Sequence, residues 1–182
     1  MDEVPHIHIK LQFRSARGVP ASVVARILAI AEEEALRVES EDIEELASEI
    51  RELPHVAIDA ARYRIQQYRG KCFHITSAGQ GSIILLGAVA GISYFVLDHT
   101  IGDTLGDAWR GSELHRRVLA FLREPIRFRN KYLRLGTYVY RRIGRDAKLR
   151  GPTVLLHTTS TRDGVEVVYV ITPAEEDKES PQ

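Results

Sequence analysis

Between Cys72 and Leu97 the chain runs for 26 residues without an Asp, Glu, Lys or Arg. The later part, Gly81-Ser-Ile-Ile-Leu-Leu-Gly-Ala-Val-Ala-Gly-Ile-Ser-Tyr-Phe-Val-Leu97, is apolar on every helical face. A helix at a protein surface carries a polar side. A helix with this sequence must therefore hide in the protein's own core, between copies of the chain, or in lipid. Seventeen helical residues rise about 25 Å, against a hydrocarbon thickness of about 30 Å. That is the lower limit for a span. Gly87 and Gly91 form a G-x-x-x-G pair, which lets two helix backbones approach closely. Tyr94 and Phe95 stand near one end, where an interfacial aromatic belt would lie. These four residues are the candidate oligomer or membrane contacts.

Charge is the second constraint. The net charge is zero, yet residues 1–60 hold 13 acids and 6 bases, a balance of −7. Residues 110–150 hold 3 acids and 13 bases, a balance of +10. Such segregation implies either neutralisation within the fold or an anionic partner. Arg116, Arg117, Arg127, Arg129, Arg141 and Arg142 are the candidate contacts to that partner. Aromatic residues, among them Phe128, Tyr132, Tyr138 and Tyr140, interleave with them, a composition that also suits nucleic acid. No RNP, KH or zinc-finger pattern accompanies it, so nucleic acid ranks below an anionic membrane, a protein partner or a second copy of the chain.

Along the chain, His6-Ile-His-Ile-Lys-Leu-Gln-Phe13 alternates and predicts a half-buried strand. Pro20 opens a helix with Val24, Ile27, Leu28, Ala31, Ala35 and Val38 on one face, and Glu32, Glu33 and Glu34 turned away. Ser40 is placed to cap a second helix, and Pro54 opens a third that ends at Gly70. Residues 71–76 read as a strand. Residues 77–82, rich in glycine and serine, read as a loop into the apolar helix, and Ser112 to Arg123 as a further helix. Ile126-Arg-Phe-Arg129 alternates like a strand, and Tyr132 to Tyr140 fits either helix or strand. Thr153–Ser160 and Val165–Ile171 predict a β-hairpin.

The expected fold class is α+β. It has a small, mainly antiparallel sheet, built from the N-terminal strand, a strand near 71–76 and a C-terminal hairpin over 153–171. Amphipathic helices cover the sheet, and one uniformly apolar helix spans 81–97. Residues 1–173 form one domain, and 174–182 a disordered polar tail. The lone Cys72 fits a reducing compartment. The first residues lack a basic-then-apolar leader pattern. The expected location is the cytoplasm or the cytoplasmic face of the inner membrane.

Catalytic patterns are missing from the sequence: H-E-x-x-H, C-x-x-C, G-x-S-x-G, the P-loop and the dinucleotide fingerprint. No catalytic residue, cofactor or metal is assigned. His6, His8 and His74 would converge if their strands paired, but without a fourth ligand they do not make a metal site. The succession His74-Ile-Thr-Ser-Ala-Gly-Gln-Gly-Ser82 followed by Ile83-Ile-Leu-Leu-Gly-Ala-Val-Ala-Gly91 resembles small domains of bacterial conflict and phage-defence systems, over about residues 71–123. That resemblance implies an effector or signalling module, sometimes membrane-acting, and no catalytic set. The expected function is a non-enzymatic effector or adaptor. It would self-associate or engage a membrane through residues 81–97 and use 110–150 for an anionic surface. The alternatives are a nucleic-acid-binding protein using the same arginines, and an enzyme with a site near the 77–82 loop.

Overall fold

Strand β1 (His6–Phe13) lies at the centre of a five-stranded sheet. The computed structural model describes residues 6–13, 19–79, 82–87, 96, 99–102, 106–149, 153–161 and 164–172. Beside β1 run β2 (Phe73–Gly79) and β3 (Ser82–Gly87) on one side, and β4 (Thr153–Thr161) and β5 (Gly164–Thr172) on the other. The spatial order is β2-β3-β1-β5-β4. Only the central β1–β5 pairing is parallel; β1–β3, β2–β3 and β4–β5 are antiparallel. The protein is α+β, as its alternating segments imply.

The helices are α1 (Ala21–Glu49), α2 (His55–Gln66), α3 (Asp107–Arg110), α4 (Glu113–Arg123) and α5 (Pro125–Arg145). A 3-10 turn, Ala147–Leu149, follows. Three sequence expectations fail here. The break at Ser40 does not occur: α1 continues for 29 residues, and Ser40 Oγ donates to the Leu36 carbonyl at 2.9 Å. No Gly or Pro interrupts residues 21–49, and an uncapped turn inside such a run would lose backbone bonds for nothing. The strand at 126–129 is also absent, because Pro125 takes the first position of α5, where its missing N–H costs nothing.

The third failure is the apolar helix over 81–97. Residues 82–87 are strand β3, hydrogen-bonded on both edges to β1 and β2. Gly87 pairs with Ile7 and with Phe73 as the last residue of that strand. Gly91, Tyr94 and Phe95 lie outside the described residues. Among the described residues no helix is long and apolar enough to cross a membrane, which removes the transmembrane reading.

Two cores hold the elements together. In the first, Ile9 and Leu11 of β1 and Val167, Tyr169 and Ile171 of β5 meet Ile27, Ile30, Ala31, Ala35 and Val38 of α1. Tyr132, Leu135, Val139 and Ile143 of α5 complete it. Register explains the shared side: Ile9 pairs with Val167 and Leu11 with Tyr169, so both pairs fall on one face of the pleat. In the second core, the C-terminal half of α1 (Ile43, Leu46) packs on Ala57, Ile58, Ala61 and Ile65 of α2, with Cys72, Ile101, Trp109 and Val118. Helix α1 therefore bridges both cores.

Candidate functional site

Helices α1 and α5 lie side by side, and the charges of the two oppositely biased segments meet there. On α5, residues 127, 131, 134, 138 and 142 recur at helical spacing and share one face. Arg127 bonds Glu45 at 2.8 Å, Glu49, and Glu124 of the same turn at 2.7 Å. Its guanidinium carbon sits 3.9 Å from the Phe121 ring centroid, a cation–π contact. Lys131 Nζ is 2.7 Å from both Glu39 Oε1 and Asp42 Oδ2. Arg134 donates to Asp42 at 2.7 Å, and Tyr138 Oη to Glu41 at 3.2 Å. Arg142 donates to Glu34 at 2.7 Å and to Glu33. Arg26 closes the far end on Asp146 at 2.8 Å.

The Lys131 group is buried: its side chain is 6% exposed and that of Glu39 is 0%. Burial alone would lower the lysine's pKa, but Glu39 and Asp42 outweigh it and the pKa is raised. The ammonium stays charged beside its carboxylates. Tyr132, buried next to them, is pushed well above the ordinary phenol range, first by burial and then by Glu39 and Asp42. The cluster is structural glue between helices, and neither carboxylate is open to a ligand. The expectation that Glu33 and Glu34 turn away from the fold also fails, since both receive Arg142 and Glu34 is buried.

The six candidate arginines separate accordingly. Arg117 donates to Glu52 at 2.8 Å, and Arg116 pairs with Glu113 on its own helix. Arg127 and Arg142 belong to the α1–α5 seam. Arg129 is carried by α5, and Arg141 is exposed on the same helix. Arg116, Arg117, Arg127 and Arg142 are thus each engaged by carboxylates. Between the end of α1, α4 and the start of α5 lies a groove of about 410 Å³, lined by Glu49, Ile50, Arg117, Ala120, Phe121, Glu124 and Arg127. Both of its arginines are held by carboxylates.

The loop expected to lead from strand to helix instead joins two antiparallel strands, with Gly79 paired to Ser82. A hairpin offers no helix N-terminus for an anion. The strands that carry His6, His8 and His74 do not pair with each other either. Strand β3 separates β1 from β2, and along one row His8 pairs with Leu86, which pairs with His74. Two strand spacings, about 10 Å, lie between the histidine backbones. Among the described residues no three His, Cys, Asp or Glu groups could hold a metal ion.

No family model, curated protein or solved structure matches the chain. The site must be read from its own surface. Among the described residues, five large apolar ones stand in solvent: Val56, Tyr63, Ile126, Leu133 and Tyr140. The last three lie on α5 at seven-residue spacing and are 68%, 41% and 42% exposed. They form one stripe, and their spacing is visible in the sequence once 125–145 is read as a single helix.

Proposed function

We propose that this chain is a non-enzymatic adaptor module that works in a self-associated form, with the outer flank of α5 as its contact surface. One observation carries the reading. Helix α5 uses one flank against α1 and a second against the sheet, yet its third flank still shows Ile126, Leu133 and Tyr140 to water. An exposed apolar stripe of seven-residue period is the pattern by which helices pair. The arginines support the reading by being otherwise engaged. Those of the α1–α5 seam are bonded to acids of α1, which leaves few of them for phosphate. The buried thiol of Cys72 suits a reducing compartment such as the cytoplasm.

Sedimentation velocity of the full chain over a wide concentration range tests this. The expected mass rises from 20.5 kDa towards twice that value. Leu133→Glu should return it to monomer with an unchanged circular dichroism spectrum. A wild-type chain that stays at monomer mass at every concentration removes the proposal.

A further inference from the structure

The two edges of the sheet differ. Edge strand β2 has seven residues and a register shift between Ile75 and Ser77, an irregularity of the kind that spoils an edge for further pairing. Edge strand β4 has nine residues in unbroken register with β5, from Thr153–Thr172 to Thr161–Gly164. Its sequence, Thr153-Val-Leu-Leu-His-Thr-Thr-Ser-Thr161, contains no Asp, Glu, Lys, Arg, Pro or Gly. Natural edge strands are kept from pairing by charge, proline, bulges or a cover over the edge. Within β4 itself the first three are missing.

Helix α5 lies directly over this edge. A Cβ added to Gly136 would meet Leu156 of β4 and Val167 of β5 at 3.6 to 3.8 Å, and Tyr169 donates to the Gly136 carbonyl at 3.3 Å. The helix therefore sits above the β4–β5 boundary. Its opposite neighbour is α1, engaged by Lys131, Arg134, Tyr138 and Arg142. On a helical wheel, Ile126, Leu133 and Tyr140 fall about 100° beyond the sheet-facing residues, on the flank away from α1. That flank looks out past the β4 edge. Leu133 is one turn from Gly136, and Gly136 is level with Leu156. The middle of the stripe thus stands level with the middle of the strand, His157.

We infer that two copies pair antiparallel along β4 about a two-fold axis at His157, and that the same axis lays α5 against α5 through Ile126, Leu133 and Tyr140. The spacings agree. A helix over the β4–β5 boundary lies about 5 Å from an axis midway between paired edge strands, so the two helices come about 10 Å apart, close to the ordinary packing distance. The register agrees as well. Centred on His157, Thr153 pairs with Thr161 of the second copy, Leu155 with Thr159 and Leu156 with Thr158. Every pair joins residues on the same face of the pleat, and no charge is opposed. A charged peptide would find no counter-charge on β4, whereas a second copy matches it along its full length. The result is a ten-stranded sheet with an isologous interface.

This inference rests on the self-association proposed above, and the test separates the two. His157 is exposed, so its replacement leaves the core intact. His157→Lys and His157→Glu each place like charges against each other on the axis. Each variant alone should weaken the dimer by about tenfold or more. An equimolar mixture of the two should recover the dimer as a heterodimer, which identifies the register. If the wild type dimerises, both variants dimerise equally well, and Leu133→Glu alone breaks the dimer, strand pairing is wrong and the helix contact stands. If the wild type stays monomeric, both readings fall.

Discussion

At the scale of single residues, the buried groups with displaced pKa values share one sign, and this gives the protein a defined weakness. Burial pushes the Cys72 thiol up to about 12, helped by the Glu32 and Glu39 carboxylates. Burial also raises Tyr169 and, with Glu39 and Asp42, Tyr132. Lys131 is raised because its two carboxylates outweigh burial. In each case the folded state keeps a proton that the unfolded chain gives up at lower pH. The unfolded state then binds fewer protons, and stability falls as pH rises. The contribution is whole below about pH 8.5, where an ordinary thiol begins to ionise. Cys72 starts the loss; the tyrosines and Lys131 join it above about pH 10, each at up to about 1.4 kcal/mol per pH unit. Urea midpoints should therefore be level from pH 7 to about 8.5 and then drop, and Cys72→Ala should delay the onset by about one pH unit. A midpoint that holds level through pH 11 contradicts this account. Cys72, with no evident partner in the sequence, reads there as a buried small residue, and it is buried, but Lys131, one base among 13, gives no local sign of its burial. Burial comes from the packing of α1 on α5 and α2, which no local pattern reveals.

At the scale of elements, the hairpin β4–β5, strand β1 and helix α2 follow from alternation, turn residues and caps, and those signals are local. Strand β3 reads as helix in the sequence for a physical reason. A short apolar run hydrogen-bonded between two neighbouring strands carries the same residues as a buried helix segment. Periodicity cannot separate them. The glycines offered the same trap. Gly87 and Gly91 suggest close helix approach, but the close approach that the structure shows is at Gly136, where α5 lies on the sheet. An added methyl there would sit 3.6 Å from Val167 and 3.8 Å from Leu156, ordinary van der Waals contact. Gly136→Ala should therefore fit and stabilise the protein by about 0.5–1 kcal/mol, because alanine costs less backbone entropy in a helix. Gly136→Leu should overpack the same site and destabilise by about 1–3 kcal/mol. Thermal melts of the pair decide it, and an alanine variant less stable than wild type would mean that α5 lies closer to Val167 and Leu156 than these contacts indicate.

At the scale of the whole molecule, the two charge blocks that suggest an anionic partner partly cancel each other, through Arg117, Arg127, Lys131, Arg134 and Arg142. The sequence shows that 1–60 is acidic and 110–150 basic, but not that antiparallel packing of α1 on α5 would bring Glu49 and Glu45 opposite Arg127, Asp42 and Glu39 opposite Lys131, Asp42 opposite Arg134, Glu41 opposite Tyr138 and Glu34 opposite Arg142. Sequence separation of about 75 to 110 residues hides that register. Non-specific binding to nucleic acid depends on the number of phosphates neutralised, and its affinity falls steeply with salt. A basic surface already neutralised by carboxylates has few counterions to release. The wild-type chain should bind a single-stranded oligonucleotide more weakly than about 10⁻⁴ M at physiological salt, the weak end of non-specific binding. Glu45→Gln with Glu49→Gln keeps the shape of the seam and removes two of the three acids on Arg127. Fluorescence anisotropy should then show severalfold tighter binding and a steeper salt slope for the double variant. Micromolar wild-type binding with a steep slope would instead mean that the exposed cations of α5, Arg141 among them, form a phosphate-binding surface that the α1 acids do not quench.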